Sequence, residues 1–110
     1  MNKEWKDKWV EALRSGEYKQ GQGSLFEHDN GGEYCCLGVL AEIMGELIKE
    51  PDMYGQVLTP EGNKSCGFLS NRQLDMVSLG REQQYILSKM NDDILAKSFN
   101  EIADYIEANL

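Results

Sequence analysis

The chain has 110 residues, 41% of them hydrophobic and 27% charged, with a formal net charge of −8. This balance suits one soluble domain with its own core rather than a disordered segment. It lacks the run of about 20 apolar residues that a membrane helix needs, and its negative charge is repelled by the phosphates of DNA or RNA.

Trp5, Trp9, Ala12 and Leu13 share one face of a helix predicted over residues 3–15, with Gly16 as its stop. Gly21 and Gly23 keep the polar stretch that follows from restarting a helix. Residues 24–27 and 33–36 read as two short strands, joined by a hairpin loop over His28-Asp29-Asn30-Gly31-Gly32. From Cys36 onward, Leu37, Val39, Leu40, Ile43, Met44 and Leu47 mark a helix apolar on more than half its circumference, the expected centre of the core. Glu50-Pro51-Asp52 should end it. A third extended segment is expected over 53–58, and a turn at Thr59-Pro60-Glu61-Gly62-Asn63.

Ser70 with Gln73, and Ser98 with Glu101, have the spacing of capping boxes. The first opens a short helix through Leu79, with Leu74 and Val77 inward. Gly80 interrupts it, and helix resumes over 82–90 with Ile86, Leu87 and Met90 inward. The second opens the last helix, whose buried face is Phe99, Ile102, Ala103, Ile106 and Leu110. The expected fold class is α+β: a mostly helical single domain over residues 1–110 with a small antiparallel hairpin.

Several chemistries find little support. Cys35, Cys36, Cys66 and His28, the sole histidine, lack the short ligand pairs of a zinc site. The three cysteines read instead as reduced, buried thiols of a cytosolic protein. The N-terminal stretch has charge but no apolar core, so no signal peptide is expected. Gly21-Gln22-Gly23 is half of a dinucleotide fingerprint, but Phe26 stands where the third glycine belongs. Residues 70–90 have the outline of a helix-turn-helix, yet Arg81 and Lys89 have no basic neighbours to hold phosphates, so no DNA binding is expected. Asn91-Asp92-Asp93 could hold a divalent cation, read a base edge, or simply connect two helices with one side chain as a cap. No catalytic set and no cofactor motif is present, so an enzyme is not expected.

Charge is uneven along the chain. Residues 1–20 carry five basic and four acidic side chains, and the other 90 carry six and fifteen. The basic end holds the candidate site. Arg14, Tyr18, Lys19 and Gln20 lie between glycines that let backbone amides approach a ligand, as a small-anion or nucleotide pocket requires. Tyr34 on the hairpin adds a second ring able to stack on a base. An acidic inhibitor, with residues 21–110 imitating nucleic acid toward a basic host protein, is the competing reading.

The blocks ALRSGEYKQGQGSL, YCCLGVLAE and MNDD…SFNEIADYIE resemble a family of small phage-encoded proteins. The pattern matches at Arg14, Ser15, Gly16, Tyr18, Gln20, Gly21 and Gly23, and again from Cys35 to Leu40. Within that family the chain resembles phage anti-CBASS sponge proteins, which sequester cyclic oligonucleotide signals of host immunity. The resemblance implies a non-enzymatic, cytosolic homo-oligomer, a tetramer, that binds a cyclic dinucleotide such as cyclic GMP–AMP without a cofactor. The binding set would be Arg14, Ser15, Tyr18, Lys19, Gln20, Gly21, Tyr34 and Asn91. Residues 53–80 depart from the pattern, lacking a tryptophan-containing helix of the relatives.

Overall fold

In the computed structural model, which describes residues 1–27, 31–47, 67–93 and 96–110, helix α1 (Lys3–Arg14) opens on Asn2. The Asn2 side chain accepts from the Glu4 and Trp5 amides. Trp9, Val10 and Leu13 form its buried stripe, while Trp5 and Ala12 are half-buried. Gly16 follows the helix with φ +77°, the left-handed conformation that stops it.

The two predicted strands survive as two residues each. In β1 (Phe26–Glu27) and β2 (Glu33–Tyr34), Phe26 lies opposite Tyr34 and Glu27 opposite Glu33 in antiparallel register. A third stretch, read beforehand as loop, runs alongside β2. Gln20 bridges Tyr34 in parallel, with the Gly21 amide donating to the Tyr34 carbonyl at 2.7 Å and the Tyr34 amide to the Lys19 carbonyl at 2.8 Å.

Helix α2 (Cys36–Ile43) is buried without a break from Cys36 to Ala41, which makes it the centre of the core. It is shorter than its apolar pattern suggested. Gly45 takes φ +72°, and the Gly45 and Glu46 amides turn back to the Glu42 and Ala41 carbonyls. That Schellman closure ends the helix before Leu47. Both capping boxes form, at the starts of α3 (Asn71–Val77) and α5 (Phe99–Asn109). Ser78, in the left-handed region at φ 57°, ends α3 and Gly80 starts α4 (Arg81–Asp92).

The rotation of α4 differs from expectation. Its buried stripe is Gln84, Leu87 and Asn91, whereas Ile86 is exposed and Met90 only half-buried. Two of those three buried residues are polar, so the apolar pattern found Leu87 but misjudged the rotation of the helix. The last helix buries Phe99, Ile102, Ala103 and Ile106 as read, with Leu110 half-buried.

Helix α1 packs mainly on α5 and then on α2, and α4 closes the other side of α2. The buried Trp9 indole donates to the Cys36 carbonyl at 2.9 Å, fixing α1 against the start of α2. The fold class is α+β. The extended segment and turn read over 53–63, the helix stop at 50–52, His28 and Cys66 lie outside the described residues.

The hairpin reaches α2 through Gly38. A methyl group added there would land on the Leu25 carbonyl, which is backbone and has no easy retreat. Gly38→Ala is therefore expected to cost about 3 kcal/mol or more despite its better helix propensity. Urea denaturation followed by circular dichroism measures it, and a cost under about 0.5 kcal/mol would mean that this approach is looser than described.

Candidate functional site

Two carboxamides organise the region where the sequence placed the binding residues. The first four amides of a helix have no partner within it. Asn91, on α4, accepts at Oδ1 from the first amide of α2, that of Cys36, at 3.1 Å. Gln20 accepts at Oε1 from the first amide of α5, that of Phe99, also at 3.1 Å. The two side chains are joined directly, Gln20 Nε2 donating to Asn91 Oδ1 at 3.0 Å and to the Lys97 carbonyl at 2.8 Å. Asn91 Nδ2 donates to the Gly21 carbonyl at 2.8 Å and to Asp92 Oδ1 at 2.7 Å. Asp92 Oδ1 also accepts from the Gly23 amide at 3.1 Å. Asn91 is fully buried, and both of its polar atoms are occupied.

The Gln20-Gly21-Gln22-Gly23 and Asn91-Asp92-Asp93 motifs thus interlock. Of the three possibilities for the acidic motif, a connection with one side chain as a cap is the one these contacts build: the Asn91 side chain caps the start of α2, and the Asp93 backbone amide closes the end of α4. Gly21 is needed for space here: a Cβ would lie 2.7 Å from Glu33 Cβ.

The remaining predicted residues fall into separate groups. Tyr34 is buried, its ring tilted against Phe26 at 4.8 Å and receiving Tyr18 edge-on at 5.2 Å. It serves as a core ring beneath Tyr18. The Ser15 hydroxyl donates to the Ala12 carbonyl at 2.7 Å and accepts from the Glu17 amide, closing α1. Ser15 and Tyr18 border a cleft of about 320 Å³ with Lys8, Glu17 and Ile43. Lys19 is exposed. Arg14 reaches across to α5, its two terminal guanidinium nitrogens each 2.6 Å from a carboxylate, Glu107 and Asp104. The hydrogen bonds to Asp104 and then Glu107 hold its pKa above the ordinary arginine value.

Gln20 and Gly21 border a larger cleft, about 500 Å³, beside the start of α5. Gln22, Glu33, Lys97 and Glu101 complete its polar rim. Sequence reasoning missed Gln22, Lys97 and the carboxylates of α5. Glu101, Asp104 and Glu107 recur every third residue, a spacing that could have shown an acidic stripe on that helix. The Glu101 carboxylate is held below its ordinary pKa, chiefly by the Ser98 backbone amide that it caps and then by the Ser98 hydroxyl.

Burial pushes the Cys35 thiol up to about 12 and the Cys36 thiol well above its ordinary value. Neither is a thiolate near neutral pH, so neither is a ready nucleophile or metal ligand. Cys35 accepts from the Gly38 amide at the start of α2, and Cys36 contacts the Leu87 carbonyl. Among the described residues no group of three His, Cys, Asp or Glu side chains is placed to hold a metal ion.

Asn91→Asp keeps the size of the side chain but sets a carboxylate oxygen against the Asp92 carboxylate and the Gly21 carbonyl. A loss of about 3 kcal/mol is expected in chemical denaturation. Arg14→Ala, which removes only exposed ion pairs, should leave the denaturation midpoint almost unchanged. Equal effects of the two changes would contradict this division of labour.

No curated protein and no solved structure matches the chain. A family model described as "Domain of unknown function (DUF8296)" matches residues 1–59, which include α1, the glycine-spaced loop, the hairpin and α2. The match covers more than half of the chain, and the protein belongs to that family.

Proposed function

We propose that this protein is a non-catalytic phage sponge, acting in the host cytosol, that sequesters a cyclic di- or oligonucleotide in the cleft between the 20–22 stretch and the start of α5. The cleft carries the reading. Its volume of about 500 Å³ lies within the roughly 300–1,000 Å³ of ordinary small-molecule sites. It opens on the one stretch where the sequence resemblance and the glycine spacing coincide. Lys97 offers a charge for a bridging phosphate. Gln22 can donate to a base edge, and Glu33 and Glu101 can accept from base amino groups. Sequestration asks for no nucleophile, which suits thiols held protonated by burial.

Of the eight expected binding residues only Gln20 and Gly21 border this cleft; Ser15, Tyr18, Lys19, Tyr34 and Asn91 lie outside it. Arg14, expected to pair phosphate, faces Asp104 and Glu107 instead and does not border this cleft. The stripe of Glu101, Asp104 and Glu107 bears on the second reading, an acidic face that blocks a basic host protein, with Arg14 already paired to the last two carboxylates.

Native mass spectrometry with a panel of cyclic di- and trinucleotides separates the two. The sponge reading expects the wild type to gain the mass of an intact cyclic nucleotide, and Lys97→Glu to weaken that binding by about tenfold or more. No mass gain and no thermal shift across the panel would overturn it. Salt-sensitive capture of a basic protein, lost on charge reversal at Glu101 and Asp104, would establish the acidic-face reading instead.

A further inference from the structure

The outer face of α4 carries exposed apolar side chains between two charged ones. Directly opposite the buried Gln84, Leu87 and Asn91 stand Glu82, Tyr85, Ile86 and Lys89. Tyr85 is 54% exposed and Ile86 37%. Tyr85 and Lys89, four residues apart, form a ridge, with the Lys89 ammonium 5.4 Å from the centre of the Tyr85 ring. On one side of the ridge runs a groove of about 380 Å³ lined by Ile86 and Met90, with Asp93 and Lys97 also bordering it. On the other, a groove of about 240 Å³ is bounded by the exposed ring of Phe68. A ridge of residues spaced by four between two grooves is the shape that a second helix packs against.

The charges say which helix fits. Glu82 and Lys89 are equidistant from the midpoint between Tyr85 and Ile86, and they are opposite in sign. An antiparallel copy centred on that midpoint sets Glu82 against the partner's Lys89 and Tyr85 against the partner's Ile86. The same contacts then repeat on the other side of the twofold axis. The stripe is complementary to itself in this one direction, as an isologous interface requires. A parallel pairing would set like charges together.

We propose that this face of α4 seats a second copy of the chain, packed antiparallel about a twofold axis. The proposal rests on Glu82, Tyr85, Ile86 and Lys89, none of which borders the ligand cleft; Lys97 borders both that cleft and the groove, so association is probed at the α4 positions alone and stands or falls apart from the nucleotide reading. Two chains of net charge −8 repel each other, so association should depend on concentration.

Sedimentation equilibrium over a concentration series tests it with the intact chain. The wild type should approach twice the 12.5 kDa chain mass. Ile86→Glu, at an exposed position that the core tolerates, should remain at the single-chain mass with an unchanged circular dichroism spectrum. Glu82→Lys and Lys89→Glu should each weaken association by about tenfold or more, and the double exchange should restore it. A chain that stays monomeric up to about millimolar concentration would overturn the proposal. So would a dimer indifferent to Ile86→Glu, or a double exchange that fails to recover.

Discussion

Two amide side chains, Gln20 and Asn91, meet a demand that the backbone makes at two places at once. Helix α2 begins within the core and α5 begins beside the cleft, and the first amide of each has no acceptor within its own helix. A buried donor without a partner costs about 1–3 kcal/mol. Each carboxamide satisfies one of these helix starts, and they also bond to one another and to the glycine-spaced stretch. That stretch is therefore held against β2 like a third strand. The position of the hairpin, the approach of Gly38 to Leu25 and the shape of the cleft beside α5 all follow from this pinning.

Much of the fold was legible because its signals are local. The apolar face of α1, the glycine after it, the two capping boxes and the buried face of α5 each depend on residues within a turn or two of one another. The hairpin was readable for the same reason, although only two residues on each side pair. What failed to show was set by partners far along the chain. Gln20 and Asn91 are 71 positions apart, and nothing in either neighbourhood announces that they meet. Helix α4 shows the consequence. Its rotation is fixed by burying Gln84 and Asn91, so an apolar pattern turns Ile86 inward when it faces out. Tyr34 was read as a ligand ring because a tyrosine on a short strand shows nothing of Phe26 and Tyr18 packing around it.

The candidate site was legible in outline and not in detail. The glycine-spaced stretch does border a cleft of about 500 Å³, but through Gln20 and Gly21 and with Gln22, Glu33, Lys97 and Glu101 as neighbours. Tyr34 is a core ring, and Arg14 pairs with the exposed carboxylates of α5. Polar side chains that look like ligand contacts in a sequence can equally well be contacts to backbone, because both uses need the same donors and acceptors. Burial separates them: Asn91 is sealed in, whereas the Lys97 side chain is exposed and Gln22, also exposed, still donates to the Asn91 carbonyl at 3.3 Å.

The pinning can be observed at two protons. The amides of Cys36 and Phe99 are each the first of a helix, where exchange with solvent is ordinarily fast. Amide hydrogen exchange by NMR should find both as slow as amides in the middle of α2, with Phe99 alone becoming fast in Gln20→Ala. Fast exchange at both positions in the wild type would mean that the two carboxamides do not hold these helices, and the described origin of the cleft would be wrong.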